Sequence, residues 1–325
     1  MLVGTTFSKK QCEYMEEDWK ETYSEVLEMG FGIIRLSAYW DEIQAEEGLY
    51  DFKVLDYQIR KAKEKGIPIV LCVGMKVPRW PEYFIPEWVL RNMKIAPWDN
   101  VAKSDYLREK TLAFIKETVL RYADEDSIKY WQVENEPLDR VGTHGWWIGS
   151  DFLEEEVRLV RELDDAKRLI IVTLSTHPNK VLSFLNRLTT PTYQLKKAIP
   201  LADIIGLNVY PTIGQKIWKF DLVFKTNPNE RINFIKKITD RVRRSGKEVW
   251  ITELQAEPWD PGILVHMKES PSLTASPGAL LESFNEVRFL GIKTVLIWGV
   301  EYWIYREKRY KDSSWLNAVR SILRD

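Results

Sequence analysis

The chain has 325 residues and a formal net charge of -1, from 47 basic and 48 acidic side chains. This length fits one large α/β barrel or two ordinary domains. The balanced charge argues against nucleic acid or an anionic membrane as a partner, and no apolar stretch is long enough to span a bilayer. Two cysteines and no basic-then-apolar leader make a reducing cytoplasm the expected location, whereas a leader removed beforehand would imply secretion.

Apolar periodicity predicts strands and helices that alternate along the whole chain. Strands are predicted over residues 2–7, 33–37, 67–73, 128–133, 168–174, 203–209, 248–252 and 294–298. Helices are predicted over residues 15–29, 52–65, 106–122, 152–163, 178–200 (with an irregular tail), 230–244, 277–290 and 314–323. The run over 67–73 is almost wholly apolar, which is typical of a parallel strand buried on both faces.

Strict alternation indicates parallel strands joined by right-handed crossovers. Eight such units close into a (β/α)8 TIM barrel, so we predict one catalytic domain over residues 1–325. A doubly wound open sheet is the alternative. That fold favours a glycine-rich phosphate turn after the first strand, and Gly4-Thr5-Thr6-Phe7-Ser8 is not one.

The chain contains 14 tryptophans, and many of them fall in predicted loops. The connection over 74–104 and the shorter loop over 142–149 carry five of them, and Trp259 follows the seventh predicted strand. Long loops are uncommon unless they carry function, and indoles in loops offer flat surfaces for sugars or bases. Each of Trp80, Trp146, Trp147 and Trp259 has ordinary loop packing as an equally good interpretation.

Catalytic residues of a barrel come from the C-terminal ends of its strands. Two carboxylates, Glu136 and Glu253, follow the fourth and seventh predicted strands, so they lie on opposite sides of one mouth. Glycosidic bond cleavage needs such a pair, with one protonated acid and one ionised nucleophile or base. Glu134 shares the strand face of Glu136, and we expect it to form an ion pair with an arginine.

Other chemistries find less support in the sequence. The three histidines are not spaced as metal ligands, and neither a serine nucleophile elbow nor a phosphate loop is present. We therefore predict no metal and no cofactor. A metal-dependent isomerase or a phosphate-binding lyase on the same barrel remains an alternative, which loss of activity on chelation would support.

Several segments, taken in order, resemble clan A glycoside hydrolases, the retaining barrel glycosidases. They are IIRLSAYW, PRW, WQVENEP, IGLNVYP, VWITELQAE and LIWGVEYW. Family 5, the family of cellulase-type enzymes, is the most similar in character, with families 10, 39 and 42 as alternatives. The chain departs from family 5 where Met75 and Lys76 stand in place of one histidine and Asn208 in place of another.

The resemblance implies a role for each motif residue. Glu136 becomes the acid/base and Glu253 the nucleophile, about 5 to 5.5 Å apart as in retaining enzymes. Asn135 is expected to hold the sugar 2-hydroxyl, and Trp298 to form the floor beneath the sugar, with a cis peptide to Gly299. The remaining expected sugar-site residues are Arg35, Asn208, Tyr210, Trp80, Trp146 and Trp259. Arg35 and Tyr210 are also the candidates to keep Glu253 ionised, and Lys76 is expected at the surface.

The sequence therefore predicts a retaining glycoside hydrolase that acts on β-linked, neutral oligo- or polysaccharides by double displacement. β-Glucan, β-mannan and aryl or oligo-β-glycosides are all compatible substrates. The oligomeric state stays open. The alternatives are a carbohydrate-binding barrel without turnover and a transglycosylase that uses the same covalent intermediate.

Overall fold

The computed structural model describes residues 1–140, 142–176 and 191–324 of the chain. Most of the helix predicted over 178–200 lies outside the described residues, and its described part is a helix over Pro191–Ala198. In the described part of the chain, no helix is both long enough and apolar enough to cross a membrane.

Eight parallel strands form a closed barrel, which confirms the predicted (β/α)8 fold. The described residues form ten strands, of which β7 and β8 make a separate hairpin: β1 (Leu2–Thr6), β2 (Ile33–Ser37), β3 (Ile69–Val73), β4 (Ile128–Val133), β5 (Leu169–Thr176), β6 (Ile204–Val209), β7 (Thr212–Ile217), β8 (Phe220–Lys225), β9 (Glu248–Gln255) and β10 (Thr294–Trp298). The order around the ring is β1-β2-β3-β4-β5-β6-β9-β10, and β10 pairs with β1 to close it. The seventh and eighth barrel strands are therefore β9 and β10.

Helices connect the barrel strands and pack around them. They are α1 (Lys9–Tyr14), α2 (Trp19–Glu28), α3 (Trp40–Ile43), α4 (Lys53–Glu64), α5 (Glu87–Leu90), α6 (Asp105–Arg121), α7 (Ser150–Leu163), α8 (Pro191–Ala198), α9 (Pro228–Arg244), α10 (Pro277–Phe289), α11 (Val300–Tyr310) and α12 (Ser314–Arg324), with 3₁₀ turns at Val101–Lys103 and Thr143–Gly145. Their buried faces join the outer faces of the strands in one large apolar cluster.

The first predicted helix, over 15–29, starts too early: within that range the structure has only α2 (Trp19–Glu28), and a separate short helix, α1 (Lys9–Tyr14), precedes it. Glu16 has a left-handed backbone, with φ of 58°, so a regular helix cannot continue through it. Asp18 then begins α2, because its side chain accepts hydrogen bonds from the backbone N–H groups of Lys20 and Glu21. Apolar spacing alone does not reveal this interruption.

Two insertions near the C-terminal end of the barrel were not predicted. The antiparallel hairpin β7–β8 follows the sixth barrel strand, with Trp218 in a left-handed conformation at its turn. The helix α11 begins directly after β10, at Val300. Both elements directly follow barrel strands whose C-terminal ends lie at the mouth.

The inside of the barrel consists of an apolar layer below a polar layer. The apolar layer, toward the N-terminal ends of the strands, contains Ile33, Val70, Ile171, Ile204, Trp250 and Leu296. Residues two positions further along a strand share its face, which places Arg35 and Thr252 one step nearer the mouth. Position 206, two residues after Ile204, is a glycine because a Cβ there would come within 2.6 Å of the Thr252 side chain. The lower end is therefore closed and the polar groups collect at the mouth.

Candidate active site

Glu136 and Glu253 lie on either side of one asparagine at the barrel mouth. Asn208, at the end of β6, is paired in register with Glu253 of β9. Its side-chain amide donates a hydrogen bond of 2.7 Å to the Glu136 carboxylate, and its carbonyl oxygen accepts one of 2.7 Å from Thr252. The structure therefore brings the two predicted catalytic glutamates to the same place, with Asn208 between their strands.

A β-bulge directs Glu253 into the barrel. Leu207 pairs with Ile251, whereas the next residue, Asn208, pairs with Glu253, so β9 contains one extra residue at this point. Strict alternation from the inward-facing Trp250 would turn Glu253 toward the outer helices. Because of the bulge, both Thr252 and Glu253 contact groups at the mouth.

Both carboxylate oxygens of Glu253 accept strong hydrogen bonds. Arg35 forms a buried salt bridge to Oε1 at 2.7 Å, and the Tyr210 hydroxyl donates to Oε2 at 2.6 Å. Burial, followed by the charge of Glu253, raises the pKa of Tyr210 well above its ordinary value, so the phenol keeps its proton and remains a donor. These two contacts fix the orientation of the carboxylate, and a carboxylate held in this way can act as a nucleophile.

Glu136 has a different environment. Burial raises the pKa of its carboxyl well above the ordinary range, and the charges of Glu82 and Glu253 raise it further, while Lys76 opposes them. Its described side-chain hydrogen bond comes from the neutral amide of Asn208. A carboxyl that stays protonated near neutral pH can supply the proton that a departing glycosidic oxygen needs.

Lys76 is buried, contrary to the expectation of a surface lysine. Its ammonium donates to the backbone carbonyl of Glu136 at 3.0 Å and lies 3.0 Å from the Glu82 carboxylate. The loop after β3 folds inward at this point, so the aliphatic stem is covered while the charge pairs with Glu82. Lys76 therefore supports the backbone of the acid/base candidate.

No arginine among residues 1–140, 142–176 and 191–324 forms the ion pair that we expected for Glu134. Its two oxygens accept hydrogen bonds from the backbone N–H groups of Met75 and Lys76, at 2.8 and 2.6 Å. A Cβ at Gly74 would lie 2.2 Å from this carboxylate, so only glycine fits there, with φ of 127°. Burial raises the pKa of Glu134 to about 7. Glu134 thus holds the loop after β3 against β4.

A cavity of about 350 Å³ opens at the mouth. Its wall includes six of the predicted site residues: Trp80, Asn135, Tyr210, Glu253, Trp259 and Trp298. Glu136 is not part of this wall, although it directly follows Asn135 and is bonded to Asn208. Asn135 is 2% exposed, and its amide oxygen accepts hydrogen bonds from Gln132 and Thr173. These bonds fix the orientation of its side chain at the cavity wall.

The tryptophans at the mouth fall into two groups. Trp298, Trp80 and Trp259 line the cavity, and Trp259 packs edge-to-face on Tyr210 with ring centroids 5.3 Å apart. Trp146 does not line it: its indole donates to the backbone carbonyl of Ala96 and its ring packs on Tyr83. The prediction of a sugar contact for Trp146 is therefore not supported, because loop packing uses both its polar and apolar parts.

The expected cis peptide at Trp298–Gly299 is absent, since the one cis bond among the described residues is Trp80–Pro81. Gly299 instead adopts φ of 115°, and a Cβ there would come within 2.6 Å of the Cβ of Glu257. The Trp298 indole donates to Glu257 at 2.8 Å, and the Arg79 guanidinium lies 4.2 Å from the ring centroid. These contacts hold the indole in place at the cavity wall.

Four charged residues on the cavity wall were not assigned from the sequence: Arg79, Glu82, Glu257 and Asp260. Glu257 ends the VWITELQAE motif, four residues after Glu253. Residues an even number apart on a strand share a face, so this spacing could have indicated that Glu257 lies on the same side as Glu253. Arg79 stands in the PRW motif, although nothing local shows that its partner is Glu257. Glu82 lies in a loop without periodicity and gave no signal.

No group of three or more His, Cys, Asp or Glu side chains within residues 1–140, 142–176 and 191–324 is arranged to hold a metal ion. The charged groups at the mouth instead pair among themselves, as Arg35 does with Glu253 and Arg79 with Glu257. The chemistry available from these side chains is proton transfer and nucleophilic attack by carboxyl groups.

Comparison with known proteins confirms the predicted resemblance to clan A glycoside hydrolases. A family model described as β-galactosidase, that of glycoside hydrolase family 42, matches residues 11–147. The β-galactosidase Bga of Halorubrum lacusprofundi is 24% identical over 135 residues, which is 37% of this chain and 18% of that protein. The chain thus matches less than a quarter of the length of this curated relative.

Solved structures of the same clan share the fold. A catalytic mutant of the family 42 β-galactosidase Gan42B from G. stearothermophilus aligns with a TM-score of 0.63 and 16% identity, over 91% of this chain and 50% of that one. Xylanase 10B of Thermotoga maritima aligns with a TM-score of 0.60 and 16% identity, over 99% of this chain and 94% of that one. At these identities the structural likeness concerns the barrel fold.

Proposed function

We propose that this chain is a retaining glycoside hydrolase that cleaves β-linked glycosides of neutral sugars. The observation that carries the proposal is the difference between the environments of Glu136 and Glu253, which lie on either side of Asn208. Glu253 is bonded by a cation and a phenol, whereas Glu136 is buried beside an amide with a raised pKa. A carboxylate held by a cation and a phenol suits the role of the nucleophile, and a carboxyl with a raised pKa suits the role of the acid; glycoside hydrolysis requires both.

The proposed reaction has two steps. The Glu253 carboxylate attacks the anomeric carbon while Glu136 donates its proton to the leaving glycosidic oxygen, which forms a covalent glycosyl ester. Water then attacks the same carbon, Glu136 takes its proton, and the ester bond to Glu253 breaks. Two inversions give net retention of the anomeric configuration. The family 42 model and the xylanase likeness support β-linked substrates.

The wall around this pair fits a sugar better than a charged substrate. Trp80, Trp259 and Trp298 offer apolar ring surfaces, and carboxylates contribute hydrogen-bond acceptors. The carboxylates of Glu82 and Glu253 face the same space, which opposes the entry of an anion. We therefore include oligosaccharides and aryl glycosides of neutral sugars as substrates.

A panel of aryl β-glycosides and soluble β-linked polysaccharides at several pH values tests the proposal. NMR of the first-formed sugar from an active substrate should show the β-anomer. Glu253→Gln should reduce turnover by several orders of magnitude while the circular dichroism spectrum stays native, because the nucleophile is lost and its shape is kept. An α-anomeric first product, or a fully active Glu253→Gln, contradicts the mechanism. Saccharide binding without any cleavage favours the carbohydrate-binding alternative.

A further inference from the structure

A carboxylate on the cavity wall has one oxygen without a partner. Glu257 is 9% exposed, and its Oε1 accepts hydrogen bonds from Arg79 and from the Trp298 indole. No described donor reaches its Oε2. A buried polar oxygen without a partner is rare in a folded protein, because losing its hydration without a replacement bond is unfavourable.

The position of Glu257 explains why such an oxygen is retained. Glu257 lines the same cavity as Glu253 and stands beside Trp298, the predicted floor of the sugar site. The hydrogen bonds from Arg79 and the Trp298 indole to Oε1 hold the side chain beside that floor, and the backbone of Gly299 lies close to its Cβ. Its free oxygen is thus held next to the space that the reacting sugar would occupy.

We propose that Glu257 is a specificity-determining residue whose Oε2 accepts a hydrogen bond from a ring hydroxyl of the sugar that reacts with Glu253. This inference rests on the proposed function. It also specifies the substrate class further: a neutral sugar with a free hydroxyl on the side of the ring that faces Glu257. A sugar that carries a carboxylate there would meet a like charge. Arg79, the cation among the described residues of the cavity wall, is already paired with Glu257 and Glu301.

Arg79 and Trp298 make Glu257→Gln an informative substitution. Both neighbours donate hydrogen bonds to Oε1, so the glutamine carbonyl must take that place. Its NH2 group then stands where Oε2 was, which replaces an anionic acceptor by a neutral donor. The change keeps the shape of the side chain and alters the atom that the proposal concerns.

Glu301 supplies the matched control. Its carboxylate contacts the same guanidinium, 3.5 Å from Arg79, and also accepts from the backbone N–H of Ser8, but Glu301 does not line the cavity. Glu301→Gln therefore perturbs Arg79 without removing a group from the wall. An effect that passes only through Arg79 should appear in both variants.

The experiment measures kcat/KM for an aryl β-glycoside that the wild type hydrolyses and for its 3-, 4- and 6-deoxy analogues. Loss of a hydroxyl bonded to a charged acceptor is expected to lower the wild-type kcat/KM by about 10- to 100-fold at one position. In Glu257→Gln that penalty should fall below about fivefold, and in Glu301→Gln it should persist. A Glu257→Gln variant that loses the same factor on the parent and on every analogue overturns the proposal.

Failure of the proposed function gives a different result. If the wild type cleaves none of the glycosides, calorimetric titration with glucose, galactose, mannose and xylose replaces the kinetic measurement. Binding that Glu257→Gln loses and Glu301→Gln keeps supports the role of Glu257 without hydrolysis. Equal binding in both variants, or no binding by the wild type, overturns it.

Discussion

The ion pair between Arg35 and Glu253 provides a test that does not depend on the substrate. The Arg35 side chain is fully buried and that of Glu253 is 5% exposed, with 2.7 Å between guanidinium and carboxylate. Arg35 also donates to Thr6 at 2.8 Å and to Gln132 at 3.0 Å. Arg35→Met keeps much of the side-chain volume but leaves a buried carboxylate without its cation. Breaking a buried pair in this way costs about 3 to 5 kcal/mol of unfolding free energy.

Urea denaturation at pH 7 measures this cost, and a double-mutant cycle assigns it to the pair. Glu253→Gln removes the charge that Arg35→Met leaves uncompensated, so the double variant should recover about 2 kcal/mol relative to the sum of the single changes. Lys53→Met is the control, because its salt bridge to Asp51 is highly exposed and should contribute less than about 1 kcal/mol. A cost for Arg35→Met that is no larger than the control, or a coupling near zero, refutes the electrostatic account of Glu253.

Three further predictions concern the same mouth. Tyr210→Phe removes the 2.6 Å hydrogen bond to Glu253, and a bond to a charged group of about 1.5 to 3 kcal/mol predicts a loss of about 10- to 150-fold in kcat/KM; a loss below threefold in steady-state kinetics contradicts it. Glu136→Gln should lower kcat/KM by at least about 100-fold for glycosides with poor leaving groups and far less for dinitrophenyl glycosides, which need no proton donor. Glu82→Gln should lower kcat/KM by less than about tenfold. It should also move the basic limb of the pH–rate profile to lower pH, because the charge of Glu82 raises the pKa of Glu136. The pKa of Glu134 rises from 4.5 to about 7 on folding, so protonated Glu134 contributes fully to stability below pH 4.5, and this contribution is lost as the pH rises through 7. In Glu134→Gln the unfolding free energy should therefore fall less between pH 5 and pH 8, by about 2 to 3 kcal/mol. Denaturation curves with the same pH dependence as the wild type would count against this.

The sequence predicted the barrel and the closeness of Glu136 and Glu253, the proposed catalytic pair, because both depend on strand order. Once eight strands alternate with helices, the residues that follow the fourth and seventh strands must share a mouth, whatever the details of packing. Arg35, on the inward face of the second strand, and Tyr210, after the sixth, reach the same space for the same reason. These predictions needed only the positions of strand ends.

The bulge in β9 shows where this reasoning stops. Alternation along the strand would place Trp250 and Thr252 inside the barrel and Glu253 outside. The extra residue that turns Glu253 inward is defined by pairing with β6, a strand more than 40 positions earlier in the chain. Its sequence, Trp-Ile-Thr-Glu, contains no glycine that would mark a bulge.

Local sequence patterns also did not predict the contacts of the loop after β3. Lys76 reads as a surface lysine, and it is buried because Glu134 binds the backbone of this loop and Glu82 pairs with the ammonium. The partner of Arg79 is 178 positions away in the chain. Trp146 and Trp80 are both tryptophans in predicted loops, yet Trp146 packs within its loop and Trp80 lines the cavity. Such assignments depend on contacts between distant segments, which periodicity does not encode.

The arrangement of charges at the mouth also explains why Glu136 and Glu253 have different environments. The apolar layer beneath them excludes water from the lower barrel, so each carboxyl depends on the few groups that contact it. Both available guanidinium groups are directed away from Glu136: Arg35 pairs with Glu253, and Arg79 with Glu257 and Glu301. The ammonium of Lys76 bonds the backbone of Glu136 and the carboxylate of Glu82, not the Glu136 carboxyl. Because the guanidinium groups of Arg35 and Arg79 and the ammonium of Lys76 already bond other groups, protonation lowers the free energy of burying the Glu136 carboxyl.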